Sequence, residues 1–451
     1  MGGRASRMRL LPILLTAAAA LPRRHVGRWT SAPQFTPGCE CGMLTSDEVG
    51  IDFTRNFCCG AYPGCPSASI TPTVPPSGLP NYTSDGRRDH HHVIDGPIAG
   101  NGNIGVAVGA GNLWNVSYPW LDLFVSTNSF WALTVANHTA GSPFRGRNAL
   151  PGTMALGVAR INLPPSFAGC SFAAEQDFDR ARVTVNLTSC LGVTVSLELW
   201  VSPRAPVIWS RVSSEGNTES LAITLNTTVR DHFYHRDMGG RYNASFPLAT
   251  SATCASSTDA TVSRATDFSG ASVPAALENG GSGSVTGAIH HTIRAPSPSP
   301  PPPPCSVTGK TSATVSFLLS AGTANAVTTT TVVRVNRDPT CVARPLIGGS
   351  SLCDLPPDAV TAAAMIAKDL RSITLEQAAA DHAAHWSKFW DASSVSFPDA
   401  PSTEDFWYGA QHAINSAVPH EGQEQTPPGL YGPWGTTDNP GWHGDYTVDC
   451  P

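Results

Sequence analysis

Charge is scarce in this sequence: Asp, Glu, Lys and Arg make up 14% of the 451 residues, and the 28 Lys and Arg nowhere gather into a block. Phosphate backbones are gripped by clustered basic side chains, so this composition, with a formal net charge of −6, argues against a nucleic acid partner. Long apolar runs are lacking as well. Beyond the first 20 residues nothing approaches the ~20 consecutive apolar residues of a spanning helix, so no membrane span is expected. The twelve cysteines include no Cys-x-x-Cys pair, which argues against a zinc site. Asp89-His90-His91-His92 does not restore one, because adjacent side chains alternate in direction and a solvated loop accounts for the run. The glycines of the stretch 100–105 are no dinucleotide fingerprint, since strand-like rather than βαβ patterns surround them. Neither a metal nor a cofactor is expected.

What the sequence does contain begins with a secretory pattern. Arg4, Arg7 and Arg9 precede an apolar stretch from Leu10 to Ala20, with small residues at Ala18 and Ala20; residues 1–22 read as a signal peptide. Six Asn-x-Ser/Thr triplets, at Asn81, Asn115, Asn137, Asn186, Asn226 and Asn243, are candidate glycan acceptors. An even cysteine count in an oxidising compartment reads as disulfides, with open connectivity. Five of these residues (Cys39, Cys41, Cys58, Cys59, Cys65) crowd into a segment, 30–85, that reads as a small stapled module. The expected location is extracellular or in a cell wall.

Between residues 90 and 345 short apolar runs alternate with turn residues: 104–108, 121–125, 154–163, 182–187, 193–201, 206–212, 222–229, 313–319 and 326–335. Many strands without intervening helices predict an antiparallel β-sandwich. In the run 193–201, Val193, Val195, Leu197, Leu199 and Val201 share one face and Thr194, Ser196 and Glu198 the other, as a half-buried strand requires. A Gly/Ser/Pro-rich insertion is expected over 270–305, because its proline run prefers polyproline II and cannot donate to a ladder. After residue 355 the pattern turns helical. Residues 358–373 form one predicted helix, and Thr374-Leu-Glu-Gln377 is a capping box opening a second. That second helix carries Leu375, Ala378, Ala379, His382, Trp386, Phe389 and Trp390 as a stripe; His382 and His385 read as helix residues, not ligands. Residues 355–395 thus form a helical linker. A third helix over 403–418 sets Phe406, Ala410, Ala413, Ile414 and Ala417 on one side.

The last segment is irregular and rich in Gly, Pro and aromatics, with Trp434, Thr436, Thr437, Asp438, Trp442, His443 and Asp445 close together. Flat apolar rings beside hydroxyl-bonding groups suit a sugar. On composition alone a structural aromatic loop accounts for the segment equally well.

A family resemblance separates these readings. Leu430-Tyr-Gly-Pro-Trp-Gly-Thr-Thr-Asp438 followed by Trp442-His-Gly-Asp-Tyr-Thr-Val-Asp449 resembles the motif that opens the catalytic barrel of α-L-fucosidase-like six-hairpin glycoside hydrolases, family ninety-five and unclassified relatives. Gly96-Pro-Ile-Ala-Gly-Asn-Gly-Asn-Ile-Gly105 is similar to that family's opening motif. Asp122-Leu-Phe-Val-Ser-Thr-Asn-Ser-Phe-Trp131 is similar to the segment after it, and His385-Trp-Ser-Lys-Phe-Trp390 to its linker helix.

The resemblance implies a mainly β fold: an antiparallel supersandwich, the helical linker, and over 400–451 the first helices of an incomplete (α/α)6 barrel. It implies hydrolysis of an α-linked sugar with inversion, which needs a carboxylic acid at the leaving oxygen and a group that activates water across the ring. Two family Asn positions that hold this water fall on Asp449 and Pro451. Asp449 retains the ability to orient water or accept a proton, and Pro451 does not. Asn101 is implied to shape the site from the domain interface. The family's general acid falls beyond the last residue, so an inactive fragment is expected, ligated only to carbohydrate. The alternative is a non-catalytic secreted carbohydrate-binding or wall glycoprotein.

Overall fold

The computed structural model describes residues 25–32, 41–46, 57–58, 96–112, 119–132, 152–168, 170–189, 191–236, 243–266, 285–294, 303–322, 326–338, 342–343, 351–352, 354–418, 428–429 and 432–435. Two antiparallel sheets face each other. The larger, eleven-stranded, runs in spatial order through Ala249–Cys254, Asp259–Thr266, Val285–Arg294, Ala326–Val335, Val207–Glu215, Thr194–Val201, Arg182–Thr188, Ser171–Asp177, Val26–Ala32, Cys41–Ser46 and Phe57–Cys58. The smaller, seven-stranded, runs through Ser306–Thr308, Ser312–Leu319, Leu221–Thr228, Gly157–Asn162, Trp120–Thr127, Ile104–Asn112 and Ile98–Gly100. The expected sandwich is therefore present.

Alternation explains the core. Val195, Leu197, Leu199 and Val201 all lie buried between the sheets, while Thr194, Ser196 and Glu198 on the opposite face are partly open. They meet Val106, Leu121, Leu123, Ile161, Ile223 and Phe317 from the smaller sheet in one continuous cluster. Leu199 is fully buried, so truncation to Ala there would cost about 2–5 kcal/mol.

The low-complexity reading of 270–305 needs correction. Val285–Arg294 is a central strand, paired with Asp259–Thr266 on one side and Ala326–Val335 on the other. Its apolar positions Val285, Ala288, Ile289 and Ile293 are buried, but Gly, Ser and Pro on both flanks drown that signal in the sequence. Pro303 and Pro304, at the described end of the proline run, are exposed. The cysteine expectation also needs correction. Cys254 and Cys305 form a disulfide, whereas Cys170 is a free thiol buried among the core side chains. Burial pushes that thiol up to about 12, so it stays protonated and inert.

Three helices follow among the described residues: α1 (Ala359–Leu370), α2 (Leu375–Ser393) and α3 (Pro401–Ala417). Asp358 caps α1 by accepting from Thr361 N–H, and Thr374 with Gln377 closes the capping box of α2. Helix α1 covers the outer face of the larger sheet: Ala359, Ala362, Ala363, Ile366 and Ala367 pack on Trp200, Trp209, Ala288 and Val332. Helix α2 buries Ala378, His382, Trp386 and Trp390, the stripe its spacing predicted. No described helix is long and apolar enough to cross a membrane.

Helix α3 meets the sandwich with its more polar side. The residues it buries are Glu404, Tyr408, His412 and Ser416, while Phe406 and Ile414 from its apolar side are 71% and 56% exposed. Polar partners offered by the sandwich decide this orientation.

Candidate functional site

The hairpin formed by Ile98–Gly100 and Ile104–Asn112 is the point on which distant parts of the chain converge. Its turn is fixed by Asn101. The side-chain oxygen of Asn101 accepts from the N–H groups of Asn103 and Ile104 at 3.1 and 3.0 Å. Its amide donates to the carbonyls of Ser202 and Ala205 at 2.7 and 3.0 Å. Every hydrogen-bonding group of this side chain is thus engaged inside the protein, and the residue is 1% exposed. Gly102 follows at φ +83°, a left-handed conformation that favours glycine.

That conformation aims the turn at the end of α3. Gly102 N–H donates to the Ser416 carbonyl at 2.7 Å, and the Asn128 amide donates to the carbonyls of Gly102 at 2.7 Å and Ala417 at 3.3 Å. The last carbonyls of a helix have no partner within it, so the turn and Asn128 supply the C-terminal cap that the α3 sequence lacks. Gly100 is required by the same approach: a Cβ there would lie 2.6 Å from the Ser416 oxygen.

Trp434 docks beside it. Its indole N–H donates to the Ala99 carbonyl at 3.0 Å, and its ring packs with Ala107, Phe124 and Val158. Gly105 makes room, since a Cβ there would stand 2.6 Å from the Pro433 oxygen and 2.7 Å from the indole nitrogen. The ring is 6% exposed, so it anchors the segment to the sandwich and offers no open face for stacking on a sugar.

The buried face of α3 carries further polar links that the sequence did not disclose. Gln176 accepts from Ile98 N–H at 2.9 Å through its oxygen, and its nitrogen lies 3.0 Å from Nδ1 of His412. His412 stacks on Trp386, centroids 5.1 Å apart, and burial pushes it down to about 3, so it is neutral. His382 is likewise neutral through burial, at about 3, with Nε2 2.9 Å from the Arg180 carbonyl. The spacing 404, 408, 412, 416 is one residue per turn, but polar residues at that spacing ordinarily mark a solvated face.

Asp122, in the second motif, is buried and gripped by Arg160 at 2.8 and 3.1 Å. Burial raises its carboxyl above the ordinary value against the pull of Arg160. The guanidinium also lies 4.3 Å from the centre of the Trp120 ring. This pair is structural. Among the described residues no group of three or more His, Cys, Asp and Glu is placed to hold a metal.

Of the residues singled out in sequence, Asn101 and Trp434 thus come together at one junction, as parts of the docking. Thr436, Thr437, Asp438, Trp442, His443, Asp445 and Asp449 lie outside the described residues, as do Asn81, Asn115, Asn137 and residues 89–92. Asn186 is exposed on its strand. Asn226 is half-buried, donates to Thr314 at 3.0 Å and accepts from Thr228 and Ser312. Asn243 begins the strand Asn243–Pro247.

No protein-family model matches the chain, and no curated protein does. Among solved structures it is similar in shape to a "putative kojibiose phosphorylase from human microbiome", with 9% sequence identity and a TM-score of 0.44 over 71% of this chain. The match spans 38% of that structure. A likeness so remote carries no argument about activity.

Proposed function

We propose that the chain is the sandwich and linker portion of a secreted glycosidase-like protein whose sugar site is built from the tail 436–449. One observation carries this reading: the four sequence motifs that resemble the fucosidase-like hydrolases meet around α3. The first motif supplies Gly102, whose N–H bonds Ser416. The second supplies Asn128, bonded to Ala417. The third supplies Trp386, stacked on His412, and Trp390, tilted against Tyr408 with centroids 4.8 Å apart. The fourth supplies Trp434, bonded to Ala99. Segments separated by hundreds of residues serve one junction, and the tail starts from it.

On this reading Trp442 stacks on the sugar ring, Thr436, Thr437, Asp438, His443 and Asp445 bind its hydroxyls, and Asp449 orients the water. The substrate class is an α-linked sugar, an α-L-fucoside foremost. The test runs two measurements on the full chain: saturation-transfer NMR with fucosylated oligosaccharides, and release of aryl alcohol from aryl α-L-fucosides and related glycosides. Binding that is lost in Trp442→Ala and Asp438→Ala is the expected result. Release as well assigns hydrolysis to the chain, and binding without release assigns it the role of a carbohydrate-binding glycoprotein. Neither binding nor release across the panel overturns the proposal.

A further inference from the structure

His25, just ahead of the strand Val26–Ala32, is held between two carboxylates that come from different parts of the fold. Its Nδ1 lies 2.9 Å from Asp179 Oδ1, in the turn after Ser171–Asp177, and its Nε2 lies 2.8 Å from Glu404 Oε1, in the first turn of α3. The backbone N–H of His25 donates to the other Asp179 oxygen at 3.0 Å. Phe397 N–H donates to the other Glu404 oxygen. The imidazole lies flat on the Tyr408 ring of α3, with centroids 3.6 Å apart and planes 2° apart. His25, Glu404 and Tyr408 are all buried.

A carboxylate oxygen only accepts. A neutral imidazole has one N–H and one lone pair, so it satisfies one of these carboxylates and turns a lone pair toward the other. The imidazolium has two N–H groups and satisfies both, and it places a cation over the Tyr408 face. The groups facing the ring are Asp179 from the turn and Glu404 and Tyr408 from α3. On the same turn Arg180 lies 3.9 Å from Asp177, and α2 contributes Trp390, packed on Tyr408. Among the described residues, the two charges that touch the imidazole, Asp179 and Glu404, are therefore both negative.

We propose that His25 is a protonation-dependent latch that fastens α3 to the sandwich when charged and loosens it when neutral. The cluster alone carries this, whatever reaction the chain takes part in. Burial by itself lowers the His25 pKa, and the hydrogen bonds and charges of Glu404 and Asp179 outweigh it, leaving it raised above 6.5. A folded value above the unfolded one means the contribution is complete below about 6.5 and is lost as pH rises through the raised value.

The latch is read in the full chain by two measurements: NMR titration of ¹³C-labelled histidine, and hydrogen exchange of α3 peptides corrected for intrinsic rates. The expected result is a His25 midpoint above 6.5, with α3 protection falling by up to about tenfold per pH unit across the window between the unfolded and folded values. His25→Gln removes that slope, and Glu404→Gln shifts the His25 midpoint downward. A wild-type midpoint at or below 6.5 overturns the proposal even if neither variant folds. So does a slope that persists in His25→Gln.

Discussion

At the scale of single residues, the junction rests on side chains whose replacement has a calculable direction. Asn101→Ala leaves two N–H groups and the Ser202 carbonyl without partners in a site that is 1% exposed, while the Ala205 carbonyl keeps the Val207 N–H. Unsatisfied buried groups cost about 1–3 kcal/mol each before any relaxation; a loss of about 3 kcal/mol in urea unfolding is expected, and a loss under 1 kcal/mol would contradict the assigned bonds. Gly105→Ala acts differently. The hairpin tolerates the methyl, but the methyl meets the Pro433 oxygen and the Trp434 indole, so the 432–435 segment must lift. Overpacking of this kind costs about 1–3 kcal/mol, and here it falls on the docked segment: faster proteolysis near residue 430 and a red-shifted Trp434 emission are expected, with the sandwich transition unchanged. Asn186 and Asn226 divide in the same way. Asn186 is exposed and takes a glycan without loss. Asn226 already has its amide and oxygen bonded to Thr314, Thr228 and Ser312. On expression through a secretory pathway, Asn186→Gln is expected to remove one mobility step on a gel.

At the scale of elements, strands with strict alternation were legible and strands flanked by low complexity were not. Residues 182–187, 193–201 and 313–319 announce themselves because apolar residues recur at every second position, as in Val183, Val185 and Leu187, or Ala313, Val315, Phe317 and Leu319. Val285–Arg294 hides because its polar members, His290, His291 and Thr292, are buried and bonded inside the sheet, so burial leaves no apolar mark in the sequence. Those same groups fasten α1. Asp259 accepts from Thr292 at 2.8 Å and from Arg371 at 2.9 Å, and Arg294 donates to the Ile373 carbonyl at 2.6 Å and the Arg371 carbonyl at 3.2 Å. Burial alone would raise the Asp259 carboxyl, but the bonds from His290, Ser256, Thr292 and Arg371 hold it well below the usual carboxylate range. With a depressed folded value, its contribution is present above about pH 4 and is lost as pH falls below that. Asp259→Asn is therefore expected to be less stable than wild type at neutral pH. The two stabilities should converge as pH falls from about 5 toward 2 in urea titrations; a gap that stays constant would remove the charge from the explanation.

At the scale of the whole molecule, the helices join the sandwich in two ways: α1 through an apolar face packed on Trp200, Trp209, Ala288 and Val332, and α3 through polar contacts. Sequence periodicity identified α3 and its apolar side but not which side meets the sandwich; the sandwich offers Gln176, His25 and the Gly102 N–H, and those select His412, Glu404 and the Ser416 carbonyl. Patterns of apolar residues cannot encode such a choice, because it depends on partners brought in from 236 to 379 positions away. The sandwich itself is closed covalently by Cys254–Cys305, which spans 51 residues and encloses two neighbouring strands of the larger sheet, Asp259–Thr266 and Val285–Arg294. Tying the ends of such a loop removes unfolded-state freedom worth about 4 kcal/mol in the chain-entropy account. The bridge sits at the sheet edge, where Ala249–Cys254 and Ser306–Thr308 end their sheets. Its loss therefore frees an edge strand without opening the central pairs around Val207–Glu215. Cys254→Ser with Cys305→Ser is expected to lower unfolding free energy by about 2–4 kcal/mol, and hydrogen exchange should rise first in 249–254 and 259–266. Uniform loss of protection across both sheets would mean that the bridge holds the whole core together and not its edge.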